Sequence, residues 1–187
     1  MTPAGRSGSL AASVLAALIA GLVAIPMLVE ARRAASNEAA QRQRGGVEAE
    51  GDVYRIMRVA YPGVFVLMIA EQVVRARPIG TAGLVGVALF ALAKALKWWA
   101  ILTLGPSWTF RVIVVPDAPL VAAGPYRFLR HPNYVAVVLE LVAAALMTGA
   151  RITGPIGVVF FSLLMLKRIG VEERALGAPS PVPPSRG

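Results

Sequence analysis

From Ser7 to Val29 the chain carries no charged side chain. A helix that crosses a bilayer needs roughly 20 predominantly apolar residues, so this one segment is long enough to span. The apolar run ends directly at Glu30, Arg32 and Arg33. No small-residue cleavage site of the kind that marks a removable leader follows it, so it reads as a retained span, with Pro26 near its end.

Four further apolar runs follow. The second extends from about Val59 to Val74 and is interrupted near its far end by Glu71. The third extends from Ile79 to about Leu104. Its first part is rich in Gly and Ala, with Gly83 and Gly86 suited to close helix contact. Its second part holds Lys94, Lys97, Trp98 and Trp99, a mixture expected where a helix emerges into the interface and lysines snorkel to water. The fourth runs from Pro132, a residue suited to a first helical turn, to about Ala150. After a tight turn at Arg151–Pro155, the fifth covers Ile156 to about Leu166, with a start near Ile152 also compatible. The expected fold is an all-α, polytopic transmembrane bundle of about five spans.

Composition agrees. Hydrophobic residues make up 57% of the 187 and charged residues 16%, with a mean hydropathy of +0.66; a soluble domain carries about 25% charged residues. The absence of cysteine excludes disulfides, thiolate metal sites and cysteine nucleophiles. A single histidine, His131, excludes a multi-histidine metal site, and no metal is expected. The net charge of +9 comes from basic residues placed between the apolar runs. The expected counterpart is therefore anionic membrane lipid, with no role for nucleic acid.

The connections carry the polarity. Glu30 to Arg58 reads as an Arg-rich surface connection in which Gly45 and Gly46 break two short helices. Gly105 to Arg130 contains Pro106, Pro116, Pro119 and Pro125, and its stretch from Phe110 to Val115 is expected to lie extended. Residues 177–187 read as a disordered, Pro-rich tail, leaving 1–176 as a single domain. Five spans put the termini on opposite sides. Thirteen lysines and arginines then fall on one side and four on the other, with Lys94 and Lys97 inside the third span. The positive-inside rule places the N-terminus outside and the C-terminus in the cytoplasm.

Two polar clusters stand out. The first is Gly124-Pro-Tyr-Arg-Phe-Leu-Arg-His-Pro-Asn-Tyr134, followed by Glu140. Arg130, His131, Asn133 and Tyr134 gather where the fourth helix begins, and a helix N-terminus offers free N–H groups and attracts anions. Asn133, Ala136, Val137 and Glu140 share a helical face. An ionisable group inside a span is costly and usually functional, so Glu140 requires a partner, with Arg168 or a cationic ligand as the candidates. The second cluster is Lys167-Arg168-Ile-Gly-Val-Glu172-Glu173, in which Arg168 and Glu172 lie one helical turn apart. If the last two helices form a hairpin, both clusters lie at its cytoplasmic end and make a pocket of both charge signs. S-adenosylmethionine, with a sulfonium, an ammonium and a carboxylate, has the matching charges. Without a Gly-x-Gly-x-x-Gly turn, a soluble dinucleotide-type cofactor fold is not expected.

Together, in this order, these two stretches resemble the isoprenylcysteine carboxyl methyltransferase family over the second half of the chain, roughly 92–176. Gly124–Tyr134 with Glu140 is similar to the family's cofactor motif, and Arg168-Ile-Gly-Val-Glu172-Glu173 to its Arg-x-x-x-Glu-Glu motif. The segment from Leu104 to Val115 and the Arg-rich first connection resemble a bacterial branch that methylates alkylpyrones and related phenolic lipids made by type III polyketide synthases. The sequence departs from the family in its Pro-rich tail after Leu176 and in Ala136, where many relatives have Gly.

The resemblance implies an S-adenosylmethionine-dependent O-methyltransferase of the bacterial inner membrane, with its active site facing the cytoplasm. The acceptor would be a lipophilic alkylpyrone or alkylresorcinol drawn from the bilayer, with a functional link to a polyketide synthase. Carboxyl methylation of a prenylated cysteine or another lipid is the alternative, and a non-catalytic membrane protein is the third reading. Cofactor contacts are implied at Tyr126, Arg130, His131, Asn133, Tyr134, Glu140 and Glu173, and catalytic positions at Arg168 and Glu172. Transfer to an ionised carboxylate or acidic enol needs no strong base, so alignment and water exclusion would supply most of the catalysis. His131 is accordingly expected to bind, not to act as a base.

Overall fold

A computed structural model describes the backbone of residues 3–75, 80–116 and 118–177, with side chains from Ser13 onward. Five helices form the bundle: α1 (Pro3–Gln43), α2 (Tyr54–Arg75), α3 (Thr81–Leu104), α4 (Pro132–Thr148) and α5 (Thr153–Gly177). The stretches Ser13–Gln43, Tyr54–Arg75, Thr81–Ser107 and Thr153–Gly177 are each long and apolar enough to cross a membrane. With 17 residues, α4 is about 25 Å long and at the lower limit for spanning. Leu18, Ile25, Val66, Leu84, Leu92 and Leu163 are exposed, as lipid-facing side chains are. The protein is an integral membrane protein built as a polytopic helical bundle.

Stripes of small and apolar residues hold the bundle together. On α3 the buried face reads Gly83, Gly86, Phe90, Ala93, Lys97 and Ala100, the alternating three- and four-residue step of a packed helix. It lies against α4, its most extensive partner, whose buried face includes Ala136, Glu140, Ala143, Ala144 and Met147. At Gly86 a Cβ would come within 2.7 Å of the Met147 backbone nitrogen and 2.8 Å of the Ala143 carbonyl oxygen. The close approach anticipated for this glycine is therefore present. On α5, Gly154, Gly157, Phe161, Met165, Arg168 and Val171 form the inner stripe. Met68, Leu141, Phe65 and Phe161 fill the centre.

Two features of the connections differ from expectation. The apolar run of α1 ends at Val29, but the helix continues for 14 residues more, to Gln43, as one element of 41 residues. Its tail is made of good helix formers, Ala, Arg, Gln and Glu, and Glu30 is neutralised by partners on another helix, so nothing stops it. The pair Gly45–Gly46 does break the chain, at the end of this long helix and not between two surface helices. Only residues 44–53 form the connection, and β1 (Val47–Glu48) within it pairs antiparallel with β2 (Ile113–Val114). Of the 110–115 stretch, expected to lie extended, Ile113 and Val114 form the strand, while Phe110 and Arg111 lie in a bend.

The second difference concerns Lys94 and Lys97. Neither snorkels to water. Lys94 Nζ lies 2.8 Å from Glu30 and 3.1 Å from Glu140, and Lys97 Nζ lies 2.7 Å from Glu30 and 3.4 Å from Glu140. The Tyr61 hydroxyl donates to Glu140. Two carboxylates and two ammoniums thus close a neutral, buried cluster that ties α1, α3 and α4 together, with α2 joined through Tyr61. Glu140 therefore has its partners in Lys94, Lys97 and Tyr61, and not in Arg168. Helical spacing alone does not distinguish a lysine facing lipid from one facing two glutamates.

Glu71 also has a structural task. Its carboxylate accepts from the backbone N–H groups of Arg151, Ile152 and Thr153 and from the Thr153 hydroxyl, capping the start of α5. The preceding turn relies on Gly149, at φ 62°, to close α4. The fifth span begins at Thr153 and carries on through the charged 167–174 segment, beyond the apolar limit at Leu166. Gly177, expected to open a disordered tail, is the last residue of α5; the rest of that expectation, 178–187, lies outside the described residues.

Candidate active site

The loop between α3 and α4 is folded back over the end of the bundle by contacts with α1. Asn37 Nδ2 donates to the carbonyls of Gly105 and Trp108, at 3.0 and 2.7 Å, and Gln41 Nε2 to that of Pro106 at 2.9 Å. Arg111 extends the strap's hold through Glu48 at 2.6 Å and Glu38 at 3.3 Å. The same loop then makes a 3-10 turn at Gly124–Arg127, where Pro125 is buried, before His131 leads into α4. Gly124 sits at φ 55° against Trp99 and Thr103, which a side chain would displace.

This arrangement puts the two polar clusters in contact. The Tyr134 hydroxyl donates to Glu172 Oε2 at 2.5 Å and accepts from Arg168 Nε at 3.0 Å. It thereby joins two α5 side chains that have no direct ion pair with one another among the described residues. His131 stacks on the Tyr134 ring, with centroids 5.4 Å apart. Its ring nitrogens lie 3.7 Å from Glu172 and 3.4 Å from Glu173. Arg130, almost fully exposed, reaches Glu173 at 3.8 Å. Burial, with a smaller contribution from the Glu172 charge, pushes the Tyr126 phenol well above its ordinary value. That group therefore remains a hydroxyl, able to donate, at any physiological pH.

Arg168 is buried, and three separate parts of the chain hold it. Its Nη1 lies 2.9 Å from Asp52 in the turn before α2, its Nη2 donates to the Phe110 carbonyl in the strap, and its Nε donates to Tyr134 in α4. Sequence reading did not find Asp52, Phe110, Tyr61, Glu30 or the two lysines as partners. The available signal was two acids and two lysines inside or at the edge of the apolar runs, Glu30, Lys94, Lys97 and Glu140.

A cavity of about 1990 Å³ opens beside these groups. Single-ligand pockets run to roughly 300–1,000 Å³, so this volume accommodates a cofactor together with an acceptor. Tyr126, Arg130, His131, Asn133, Tyr134, Arg168, Glu172 and Glu173 all line it, whereas Glu140 does not. Met27, Met57, Val137, Phe161 and Met165 also line it, together with Glu30, Lys97 and Tyr61 of the buried charge cluster. Two buried polar atoms on its lining, Trp108 Nε1 and Asn133 Oδ1, have no hydrogen-bond partner among the described residues. Such groups ordinarily find one. A guanidinium, two carboxylates, stackable rings and unmet donors and acceptors suit a ligand carrying charges of both signs and an aromatic base. S-adenosylmethionine has that donor set. Among the described residues no cluster of side chains is suited to hold a metal ion.

Fold and site together define a membrane-embedded helical protein with a cavity lined by both polar and apolar side chains. Residues 85–178, half of the chain, match the Isoprenylcysteine carboxyl methyltransferase (ICMT) family, and the chain belongs to that family. Membership implies methyl transfer from S-adenosylmethionine to a lipophilic acceptor. The chain is 28% identical to the uncharacterized protein YpbQ of Bacillus subtilis over 159 residues, covering 85% of this chain and 95% of that protein. It is also 28% identical over 93 residues to an uncharacterized protein of Haemophilus influenzae, covering 49% of this chain and 54% of that one. No solved structure gives a significant match.

Proposed function

We propose that the protein is an S-adenosylmethionine-dependent O-methyltransferase acting on a lipophilic substrate drawn from the bilayer. The observation that carries this reading is the meeting of His131 and Tyr134 with Glu172 and Glu173 across α4 and α5, on the wall of a cavity that polar and apolar side chains both line. The cofactor would supply an electrophilic methyl group on a sulfonium. Tyr126, Arg130, His131, Asn133, Tyr134 and Glu173 would hold it, with Arg168 and Glu172 nearest the reacting groups. Glu140 drops out of this set, because its carboxylate is committed to Lys94, Lys97 and Tyr61.

What the chain's own groups do follows from their chemistry. The carboxylates of Glu172 and Glu173 favour a cationic ligand, the guanidinium of Arg168 orients an anionic oxygen, and the strap over residues 108–115 excludes water. The acceptor oxygen would gain the methyl as the methyl's bond to the cofactor's sulfonium sulfur breaks, leaving a neutral thioether, and an ionised oxygen loses its negative charge in the exchange; a resorcinol hydroxyl would first give its proton to a carboxylate of the site or to water. An acidic enol or a carboxylate arrives ionised, so no strong base is required. The preferred acceptor is a type III polyketide-derived alkylpyrone or alkylresorcinol, on the resemblance of the Leu104–Val115 segment. The second reading, carboxyl methylation of a prenylated cysteine, is favoured by the family's own description. Residues 1–176 are read as one domain, with the arginine-rich end of the bundle in the cytoplasm of the inner membrane.

The test is transfer of labelled methyl from S-adenosylmethionine to a panel holding an alkylpyrone, an alkylresorcinol and farnesylcysteine, using protein in detergent or nanodiscs. Product on the first two supports the preferred acceptor, and product on farnesylcysteine alone supports the second reading. No cofactor binding by calorimetry at millimolar concentration leaves a non-catalytic membrane protein.

A further inference from the structure

Asp52 lies outside the family-matched residues, in the turn that joins the first helix to the second, yet its carboxylate is buried against the guanidinium of the site's central arginine. Side-chain exposure is 2% for Asp52 and 6% for Arg168. Asp52 Oδ1 accepts from Arg168 Nη1 at 2.9 Å and from the Tyr54 backbone N–H at 3.0 Å, and Oδ2 accepts from the Val112 N–H at 2.9 Å. One carboxylate thus fixes the start of α2, the strap that covers the cavity and the guanidinium of Arg168.

The consequence for Arg168 follows by counting donors. A guanidinium has five N–H groups. Tyr134, Asp52 and the Phe110 carbonyl take one each, leaving two without a partner among the described residues on a side chain that lines the cavity. The three protein acceptors come from three different elements, so the plane of the guanidinium is set from three directions. Of the three, only Asp52 is charged, and it makes the charge-assisted bond, the stronger kind.

We infer that Asp52 is a positioning residue for Arg168: it holds the guanidinium so that its unspent N–H groups face the ligand chamber. This rests on the reading of the site as a methyl-transfer centre, and it makes the N-terminal half of the chain part of that centre. Asp52 itself touches no reacting atom. Its effect reaches the chemistry through Arg168, so it acts on turnover more than on the affinity for the cofactor.

Asp52→Asn, Asp52→Glu and Asp52→Ala separate this from a merely structural role. Asn keeps acceptor oxygen for Tyr54 or Val112 but loses the charge that faces Arg168, while Glu keeps the charge. Purified full-length protein in detergent is compared by kcat, by calorimetric Kd for S-adenosylmethionine, by melting temperature and by nitrogen NMR of labelled arginine side chains, with the Arg168 Nε–H signal assigned by its loss in Arg168→Lys. The expected result for Asp52→Asn is a kcat reduced at least tenfold, a Kd within threefold and a melting temperature nearly unchanged. The Arg168 Nε–H signal shifts and loses exchange protection as the guanidinium is freed to turn about its remaining bonds, and Asp52→Glu restores it in part together with kcat. An Arg168 signal unaltered in Asp52→Asn overturns the inference whether or not turnover is measurable. A loss of kcat that tracks melting temperature and is not restored by Asp52→Glu overturns it as well. A wild-type protein that neither binds the cofactor nor transfers methyl instead sinks the underlying assignment, while the NMR comparison still decides whether Asp52 positions Arg168.

Discussion

Lys97 on α3 and Glu30 on α1 meet at 2.7 Å, both almost completely buried. They are part of a closed arrangement in which Lys94 and Glu140 supply the other two charges. Breaking a buried ion pair by removing one partner costs about 3–5 kcal/mol, whereas replacing both partners by apolar groups is often near neutral. Lys97→Met should therefore destabilise the protein strongly, and Lys97→Met with Glu30→Met should cost clearly less than the sum of the single changes. Unfolding in mixed micelles measures this. Strict additivity of the two substitutions would contradict the closed cluster.

Close packing of α3 on α4 at Gly86 makes a second prediction. A methyl added there meets backbone atoms of Ala143 and Met147, which cannot swing aside as a flexible side chain would. Overpacking of this kind costs about 1–3 kcal/mol. Gly86→Ala should lower the melting temperature, and Gly86→Val should lower it further, while Gly21→Ala on α1, with open space around it, should leave it nearly unchanged.

The helix cap at Glu71 is a third case. Its carboxylate serves three consecutive backbone N–H groups and the Thr153 hydroxyl. Loss of a capping side chain costs about 1 kcal/mol. Glu71→Ala should show that loss with faster hydrogen exchange at residues 151–153, and Glu71→Gln, which keeps an acceptor, should show less of both.

Titration of the strap provides a fourth. Burial acts to raise the Glu48 carboxyl, but hydrogen bonds and charge from Arg111 and Arg42 outweigh it and hold the group below its ordinary 4.5 in the folded protein. A lowered folded-state value means that Glu48 contributes stability above the unfolded value and loses it as pH falls through the folded one. The difference in melting temperature between the wild type and Glu48→Gln should be present at pH 6–7, about two units above the carboxyl's ordinary value, and should shrink in acid below it. Because both partners are partly exposed, it should also shrink with added salt.

Much of the bundle was legible in the sequence because its signals are local. Pro132 starts α4, and the Gly83–Gly86 stripe marks a tight helix contact, each through rules that act within a few residues. The end of α1 was not legible, because an apolar count stops at Val29 while the helix continues for as long as its residues favour helix. The partners of Glu140 were missed for a different reason. Lys94 and Lys97 occupy positions where emerging into water and facing a buried acid have the same spacing, and only the packing of α1 against α3 decides. Likewise, the two charged motifs were visible as motifs, but Asp52 reaches Arg168 across 116 positions, and no periodicity carries that information.

The helix that anchors the chain's first span is also the strut beneath its canopy. Over about 62 Å of helix, α1 runs from its lipid-facing residues, past Pro26, to Asn37 and Gln41, which hold the strap in place. No loop separates the two tasks, and Pro26 is the residue between them at which a helix bends most readily, so a tilt of the membrane-embedded part that is not taken up there displaces the covering loop. The roof of the chamber is thereby coupled mechanically to how the first span sits in its bilayer.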